Sequence, residues 1–544
     1  MKRMTILTLV FAMLISLLAA CGTKTPYESG DVPDIPLPPD DGYTLPLGDG
    51  TQALHILTPE SLHPTVKNYA DMPVFKKYAD EMGIKLDWEV VPLTDYDTVV
   101  NLRLTTNTDL ADIIRLPFDS SMFWGSFVEA ELFSDLAPLL RFAPNIVRMY
   151  WDYRPDIRRA VTWTDGKLYL LPSVVMGIVE GKNANDAANP NGFVMRGDIM
   201  QKYEMNEPST VEDFHTILAT IKENETGMIP FSVDAFDTLI RAFGLLWGLN
   251  TFDDLQVNED GKVSYVYTDP RMRDVFQTLA DWYAEGLIDK EPVGGAEGTW
   301  GRKAVDGRLF STYGSAGYCF VIQPELAKNI PGAGFRLIPY PSADGNMPFI
   351  PSSPTWDNTW GIWEGSKNKE LAIKAMDYMF FRDESFIDQI YGLEGTDYVM
   401  VDGFPAATEY AITEMAKDGN YAYSTGAYVH NRLTMVYVEE YRVASYRDFL
   451  SGHPFESEII RVSQLIGSST NTLFPKMLFT VDEAQLTRQY MADIDLYVKQ
   501  TIAAMIRGEM PVTRFDNFVT TLNGMGLEEA MELRQNQYDR YKNS

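Results

Sequence analysis

Histidine and cysteine are scarce in this chain. Of its 544 residues, five are histidine and two are cysteine. The histidines (His55, His63, His215, His430 and His453) are scattered. There is no His-Glu-x-x-His helix and no Cys-x-x-Cys pair, which excludes the common zinc and thiol-redox motifs. Basic residues are also short, 46 Lys and Arg against 76 Asp and Glu, for a formal charge of −30. Nucleic acids and anionic lipid surfaces need clustered cations, so neither is expected as a partner. No internal repeat occurs, no phosphate-cradling Gly-Lys-Ser/Thr loop, and no second long apolar run after Ala20. Gly314-Ser-Ala-Gly317 has its serine one position short of the nucleophile elbow Gly-x-Ser-x-Gly. With so many carboxylates, some pair at glycosidase separation is inevitable and identifies nothing. Asn258-Glu-Asp-Gly261 and Ser342-Ala-Asp-Gly-Asn346 have the composition of hairpin turns and lack the distal glutamate of a calcium loop. No catalytic residue, metal ligand or cofactor is expected.

What is present begins with an address. Lys2 and Arg3 precede an apolar or small-residue run from Thr5 to Ala20, which ends Leu18-Ala-Ala-Cys21-Gly22. A positive start, a short apolar stretch and small residues at the cut are the parts of a secretory signal. The run is shorter than the roughly 20 apolar residues of a spanning helix. Leu-Ala-Ala-Cys resembles the lipobox of bacterial lipoproteins. That resemblance implies cleavage before Cys21, its modification by acyl chains such as palmitate, and anchoring on the outer face of the cell membrane. Two or more chains hold firmly where one holds only marginally. Residues 1–20 are then a signal peptide, and losing Lys2 and Arg3 leaves 44 basic residues against 76 acidic, a charge of −32. Residues 21–50, with Pro26, Pro33, Pro36, Pro38, Pro39 and Pro46, read as a solvated tether. Cys319 stands alone, so no internal disulfide forms and stability must come from buried surface. A chain of this length exceeds one core, so two or more lobes are expected.

Periodicity gives the fold class. Ala53–Leu57 reads as a strand. Met72–Met82 puts Val74, Phe75, Tyr78, Ala79 and Met82 on one helical face, with Gly83 as the stop. Ile84–Val91 alternates Ile84, Leu86, Trp88 and Val90. A helix over about Tyr96–Thr105 and a strand at Ala111–Leu116 complete a βαβαβ series, which implies a parallel sheet under helices. Downstream, Gly192–Met195 and Arg308–Tyr313 read as strands. Thr210–Lys222, Arg271–Gly286 and Lys369–Phe381 read as helices, the first with Thr210 and Asp213 placed as in a capping box. Val481–Ile506 carries Leu486, Tyr490, Ile494, Val498 and Ile502 at every fourth position, an amphipathic helix. The architecture expected is two α/β lobes with a helical C-terminal region.

Several stretches, in order, resemble the extracellular solute-binding lipoproteins of ABC importers, in the carbohydrate-binding branch common in Gram-positive bacteria. Asn107-Thr-Asp-Leu-Ala-Asp-Ile-Ile114 is followed by Val128-Glu-Ala-Glu-Leu-Phe-Ser-Asp-Leu136. Asp165-Gly-Lys-Leu-Tyr-Leu-Leu-Pro172 resembles that family's crossing between lobes, with Leu170 where glycine is commoner. Phe193-Val-Met-Arg-Gly-Asp198 with Pro208-Ser-Thr-Val-Glu-Asp-Phe214 resembles the start of the second lobe. Tyr391-Gly-Leu-Glu-Gly-Thr-Asp-Tyr398 and the close from Ile506-Arg-Gly508 through Gly526-Leu527 to Gln537-Tyr538 complete the series. The resemblance implies a two-lobed, periplasmic-binding-protein-like α/β fold that closes on a ligand, most often a sugar, and presents it to membrane permease subunits. On this reading, residues 51–172 and about 350–400 form lobe 1. Residues 173–349 and about 401–544 form lobe 2, with hinges near Tyr169–Val174 and Ile338–Ser352. The protein is expected to be a monomer. A binder of peptides or other polar solutes is the alternative, and a surface glycoside hydrolase a more distant one.

Sugar rings have an apolar C–H face that flat aromatics cover, while carboxylates and amides take the hydroxyls. In open α/β sheets such groups belong beyond the carboxyl ends of strands. Candidates there are Phe118, Asp119 and Trp124 after the third strand, Trp300 in Gly298-Thr-Trp-Gly301, and Tyr313 and Tyr318 flanking Gly314–Gly317. Trp356 and Asp357, before the strand Gly361–Trp363, complete the set.

Overall fold

Alternating strand and helix signals from Ala53 onward resolve into two sheets, each with its own core. The computed structural model describes residues 35–543 except 61–65, 117–123, 177, 180–181, 184–190, 297, 344, 346, 352–355, 419–435, 439–452, 468, 470 and 472. The first sheet opens with β1 (Ala53–Pro59), β2 (Lys85–Val91), β3 (Ile113–Arg115) and β4 (Leu170–Met176). Helix α1 (Pro73–Met82) joins β1 to β2. It ends at Gly83, whose φ of 63° is the left-handed cap that glycine adopts without strain. Helix α2 (Leu93–Thr106) joins β2 to β3. β1 pairs in parallel with β2 and β3, as strands joined by helical crossovers do.

The second sheet contains β5 (Asn191–Arg196), β6 (Ile229–Phe231), β7 (Leu309–Ser315) and β8 (Phe335–Ile338), in the order β8-β5-β7-β6. β6 and β7 are parallel, while β5 runs against both its neighbours. Helix α3 (Val211–Asn224) precedes β6 and carries the capping box of Thr210 and Asp213. The chain then returns to the first sheet with β9 (Trp356–Ile362), antiparallel to β3 and β4, and β10 (Val436–Val438), parallel to β4. That sheet has the order β10-β4-β9-β3-β1-β2. The Asn258–Gly261 turn joins the antiparallel ladder of Leu255–Val257 and Val263–Tyr265. Ser342 instead pairs as an isolated bridge with Thr210.

Two cores underlie these sheets. One gathers Leu54, Ile56, Ile113, Leu171, Trp360 and Phe380. The other gathers Phe193, Phe214, Phe231, Phe243, Leu309 and Leu337. Between them the chain passes three times: from Met176 to Asn191, from Ile338 to Trp356, and from Val438 to Phe455. Three details differ from the sequence reading. The tether read over residues 21–50 does not reach Thr51: Ile35 is buried in the first core, Tyr43 and Leu47 pack against it, and the Tyr43 hydroxyl donates to Asp377 at 3.0 Å. Tyr169–Val174 is not a crossing, because its apolar run is spent as β4 inside the first sheet, and the passage begins after Met176. β10 also returns to the first sheet from within the stretch assigned to the second lobe.

Helix α4 (Val481–Ile506) touches both halves. Its start is fixed by a capping box of Thr480 and Glu483. Leu478 packs on the first core. A Cβ at Gly125 would come within 3.0 Å of the Phe479 carbonyl oxygen, so glycine lets the two backbones approach. Ile494, Val498 and Ile502 lie in the second core. Helix α5 (Leu527–Asn543) packs beside it.

Candidate ligand site

The passages fix which ends of the two sheets face each other. The carboxyl end of β4 leads to the start of β5, and Asn191 there pairs with Ser315 at the carboxyl end of β7. The carboxyl end of β8 leads to Trp356, which pairs with Val174 near the carboxyl end of β4. The carboxyl ends of β1, β3, β4, β6, β7 and β8 therefore border one cleft, where open α/β sheets bind their ligands.

On the second lobe this edge carries two aromatic rings and a carboxylate. Trp300 starts a short helix, Trp300–Val305, and Tyr318 starts another, Tyr318–Val321. Their ring centroids are 4.3 Å apart with planes tilted by 34°. Tyr318 can lie against the end of β7 only because position 314 is glycine; a Cβ there would sit 2.1 Å from its ring. Asp234 follows β6, and its carbonyl oxygen accepts the Gly298 N–H at 2.9 Å, which ties the Trp300 loop to this strand end. Asp234 lies close enough to Tyr318 for its charge to act with burial in raising the phenol pKa. The Oδ1 of Asp234 is buried without a hydrogen-bond partner. Among the described residues, the Asp234 carboxylate, the Trp300 indole N–H and the Tyr318 hydroxyl form no hydrogen bond.

A buried cation holds this corner in place. Lys303, in the same short helix as Trp300, lies 2.5 Å from Asp289 and 2.5 Å from Glu291, with side-chain exposures of 7% for Lys303 and 8% for Asp289. It also reaches Thr299 Oγ1 at 3.2 Å. Asp289 in turn accepts from Ser232 at 2.6 Å. Burial works against the Lys303 charge, yet the hydrogen bonds to Asp289 and Glu291 outweigh it and raise its pKa. A pinned helix start presents its tryptophan with little freedom left to lose on binding.

The other predicted residues divide. Tyr313 is corrected: it packs edge-on against Phe193, and its hydroxyl lies 3.3 Å from that of Tyr340. Strand alternation turns it into the core, away from the cleft, where burial raises its pKa to about 12. Trp356 and Asp357 lie in β9 on the cleft edge, beside a register shift between Asp357 and Thr359. Trp124 starts the helix Trp124–Glu129. The side chains of these three, together with Phe118, Asp119 and Cys21, lie outside the described residues. Asp234 was missed. Its signal was positional, the third residue beyond a strand too short to show alternation.

The fold matches solved binding proteins along nearly its whole length. The alginate-binding protein AlgQ2 superposes with a TM-score of 0.72 at 20% identity, covering 91% of this chain and 99% of that one. No protein-family model matches the sequence. In sequence, the fructooligosaccharide ABC transporter substrate-binding protein FusA of Streptococcus pneumoniae serotype 4 is 26% identical over 290 residues. That match spans about half of each protein, 51% of this chain and 51% of FusA. The chain is a homologue of ABC-transporter substrate-binding proteins. A second homologue, a carbohydrate ABC transporter substrate-binding protein of the same organism, is 22% identical over 409 residues, covering 71% of this chain and 70% of its own length. These homologues carry the names of binding proteins rather than enzymes. The two-lobed α/β fold with a helical C-terminal region is the fold that this chain shares with AlgQ2.

Proposed function

We propose that this chain is an extracytoplasmic lipoprotein that captures an oligosaccharide between its lobes and delivers it, chemically unchanged, to the permease subunits of an ABC importer. The observation that carries this reading is the Trp300–Tyr318 pair beside Asp234, with all three polar ends unbonded at the cleft edge. Stacked rings offer a face to the C–H side of a sugar, and an acceptor and two donors beside them suit its hydroxyls. The names of FusA and of the second homologue support a carbohydrate ligand. Closure of the two lobes about their crossings would couple occupancy to permease docking.

Leu18-Ala-Ala-Cys21 supports a lipid anchor on Cys21 of a monomeric body, and a spacer off the membrane is confined to the residues between Cys21 and Ile35, where packing on the first core begins. Cys21→Ser is expected to release the protein in soluble form or leave it unprocessed, as read by detergent partitioning. Continued detergent-dependent attachment would refute the anchor. The ligand class is tested by thermal shift of the mature chain against mono- and oligosaccharides, with amino acids and short peptides as controls. A ligand of the native state raises the melting temperature by mass action. A hit among the peptides alone would replace the sugar reading.

A further inference from the structure

We propose that the second lobe's half of the site selects neutral sugars and turns away uronic acids, and that Asp234 is the residue that sets this specificity. The inference rests on the oligosaccharide reading above and narrows its substrate class. Three carboxylates cluster around the Trp300 corner: Asp234, Asp289 and Glu291. One ammonium, Lys303, stands among them, and it already donates to Asp289, Glu291 and Thr299. Among the described residues, Lys303 is the cation bonded within this cluster, and its bonds are already taken. Arg241, further along the helix Phe236–Leu246, lies against Phe252, its guanidinium 4.8 Å from that ring centroid.

Asp234 faces the ligand from the opposite standpoint. Its Oδ1 is a buried acceptor with no donor, and an acceptor left bare costs free energy that a donor restores. A sugar hydroxyl supplies that donor. A uronate carboxylate is ionised near neutral pH, has no proton to give, and would bring like charge to a partly dehydrated carboxylate. Such juxtaposition is a standard means of rejecting a wrong partner. Tyr318, whose phenol is held protonated by burial and by Asp234, offers its own proton to a neutral ligand as well.

The test is calorimetric titration of the full mature chain with neutral gluco-, manno-, galacto- and fructo-configured trisaccharides, alongside trigalacturonate and trimannuronate. The expected result is binding among the neutral sugars and at least about tenfold weaker binding of every uronate, a difference of ~1.4 kcal/mol. Asp234→Asn should weaken the neutral ligand and narrow the gap to the uronates, while Asp234→Glu should keep the gap. The melting temperature of each variant checks that it is folded. A uronate bound as tightly as the best neutral sugar would overturn this inference and leave oligosaccharide capture standing. So would a gap that Asp234→Asn leaves unchanged. Silence across every sugar, neutral and acidic, would overturn capture and this inference together.

Discussion

Trp300 and Trp360 are the same residue type in opposite settings. Trp360 is fully buried between β3 and β4, packed on Phe380. Trp300 is half-buried, its ring on Tyr318 and its N–H unbonded. Trp360→Ala is expected to cost about 3–5 kcal/mol of stability, as other large core truncations do. Trp300→Ala should lower sugar affinity by roughly 2 kcal/mol, the scale of a binding hot spot, with a much smaller change in melting temperature. Calorimetry and thermal unfolding on both variants separate the two; equal sugar affinity in Trp300→Ala would remove it from the site. Asp254 allows a pH test. Burial raises its carboxyl pKa to about 6, against the Tyr267 hydrogen bond and Arg241, which lower it. With the folded pKa above the unfolded value, the folded state binds the extra proton, so this residue favours folding at low pH. That contribution is lost as pH rises through about 6. Its φ of 61° is one that asparagine tolerates. Asp254→Asn should therefore raise stability at pH 7.5 by about 1–3 kcal/mol and lose that gain near pH 4. Melting curves across this range decide it. Neither Asp234 nor Asp254 could be picked from the sequence, because a side chain among 76 acids acquires meaning only from what burial places beside it. Tyr318 was legible because Gly314 and Gly317 mark a turn at a strand end. Tyr313, one residue before that turn, could not be assigned a face without the register of β7.

Among the elements, the junction of α4 with α5 contains a buried ion pair. Arg540 lies 2.7 Å from Glu483, both side chains 12% exposed. The same carboxylate accepts the Thr480 N–H at 2.9 Å, so it caps α4 as well as binding α5. Burial pushes the Glu483 pKa up, but Arg540 outweighs it and holds the carboxyl below its usual range. Stability from this pair is therefore present above the unfolded carboxylate value and is lost as pH falls through the lower, folded one. Arg540→Ala should cost about 3 kcal/mol at pH 7, since it strands a buried charge. The deficit should shrink as pH falls through the lowered Glu483 pKa; a deficit constant with pH would mean the arginine acts by packing alone. The extent of α4 was plain in the sequence, from its four-residue apolar repeat. The crossing was not, because Leu170–Met176 is apolar apart from Ser173, and such a run reads equally as a buried strand or a passage between lobes.

On the scale of the molecule, the alternation of strands and helices was legible from local periodicity, and the return of about residues 350–400 to the first lobe was implied by the resemblance, but the register of β9 and the return of β10 were not. Those pairings join residues far apart in sequence, where no local pattern records the partner. The result is a pair of bodies held together by three chain passages, with α4 as a further brace that touches the first body near Gly125 and the second along Ile494–Ile502. Two rigid bodies joined at two points retain one rotation, about the line through those points. Each added tie removes that rotation unless it lies near the same line or yields. For the lobe closure proposed above, a brace anchored at Thr480 would favour one axis passing near that helix start, and a motion described by one angle. A single distance measured across the cleft would then report the state of the whole molecule.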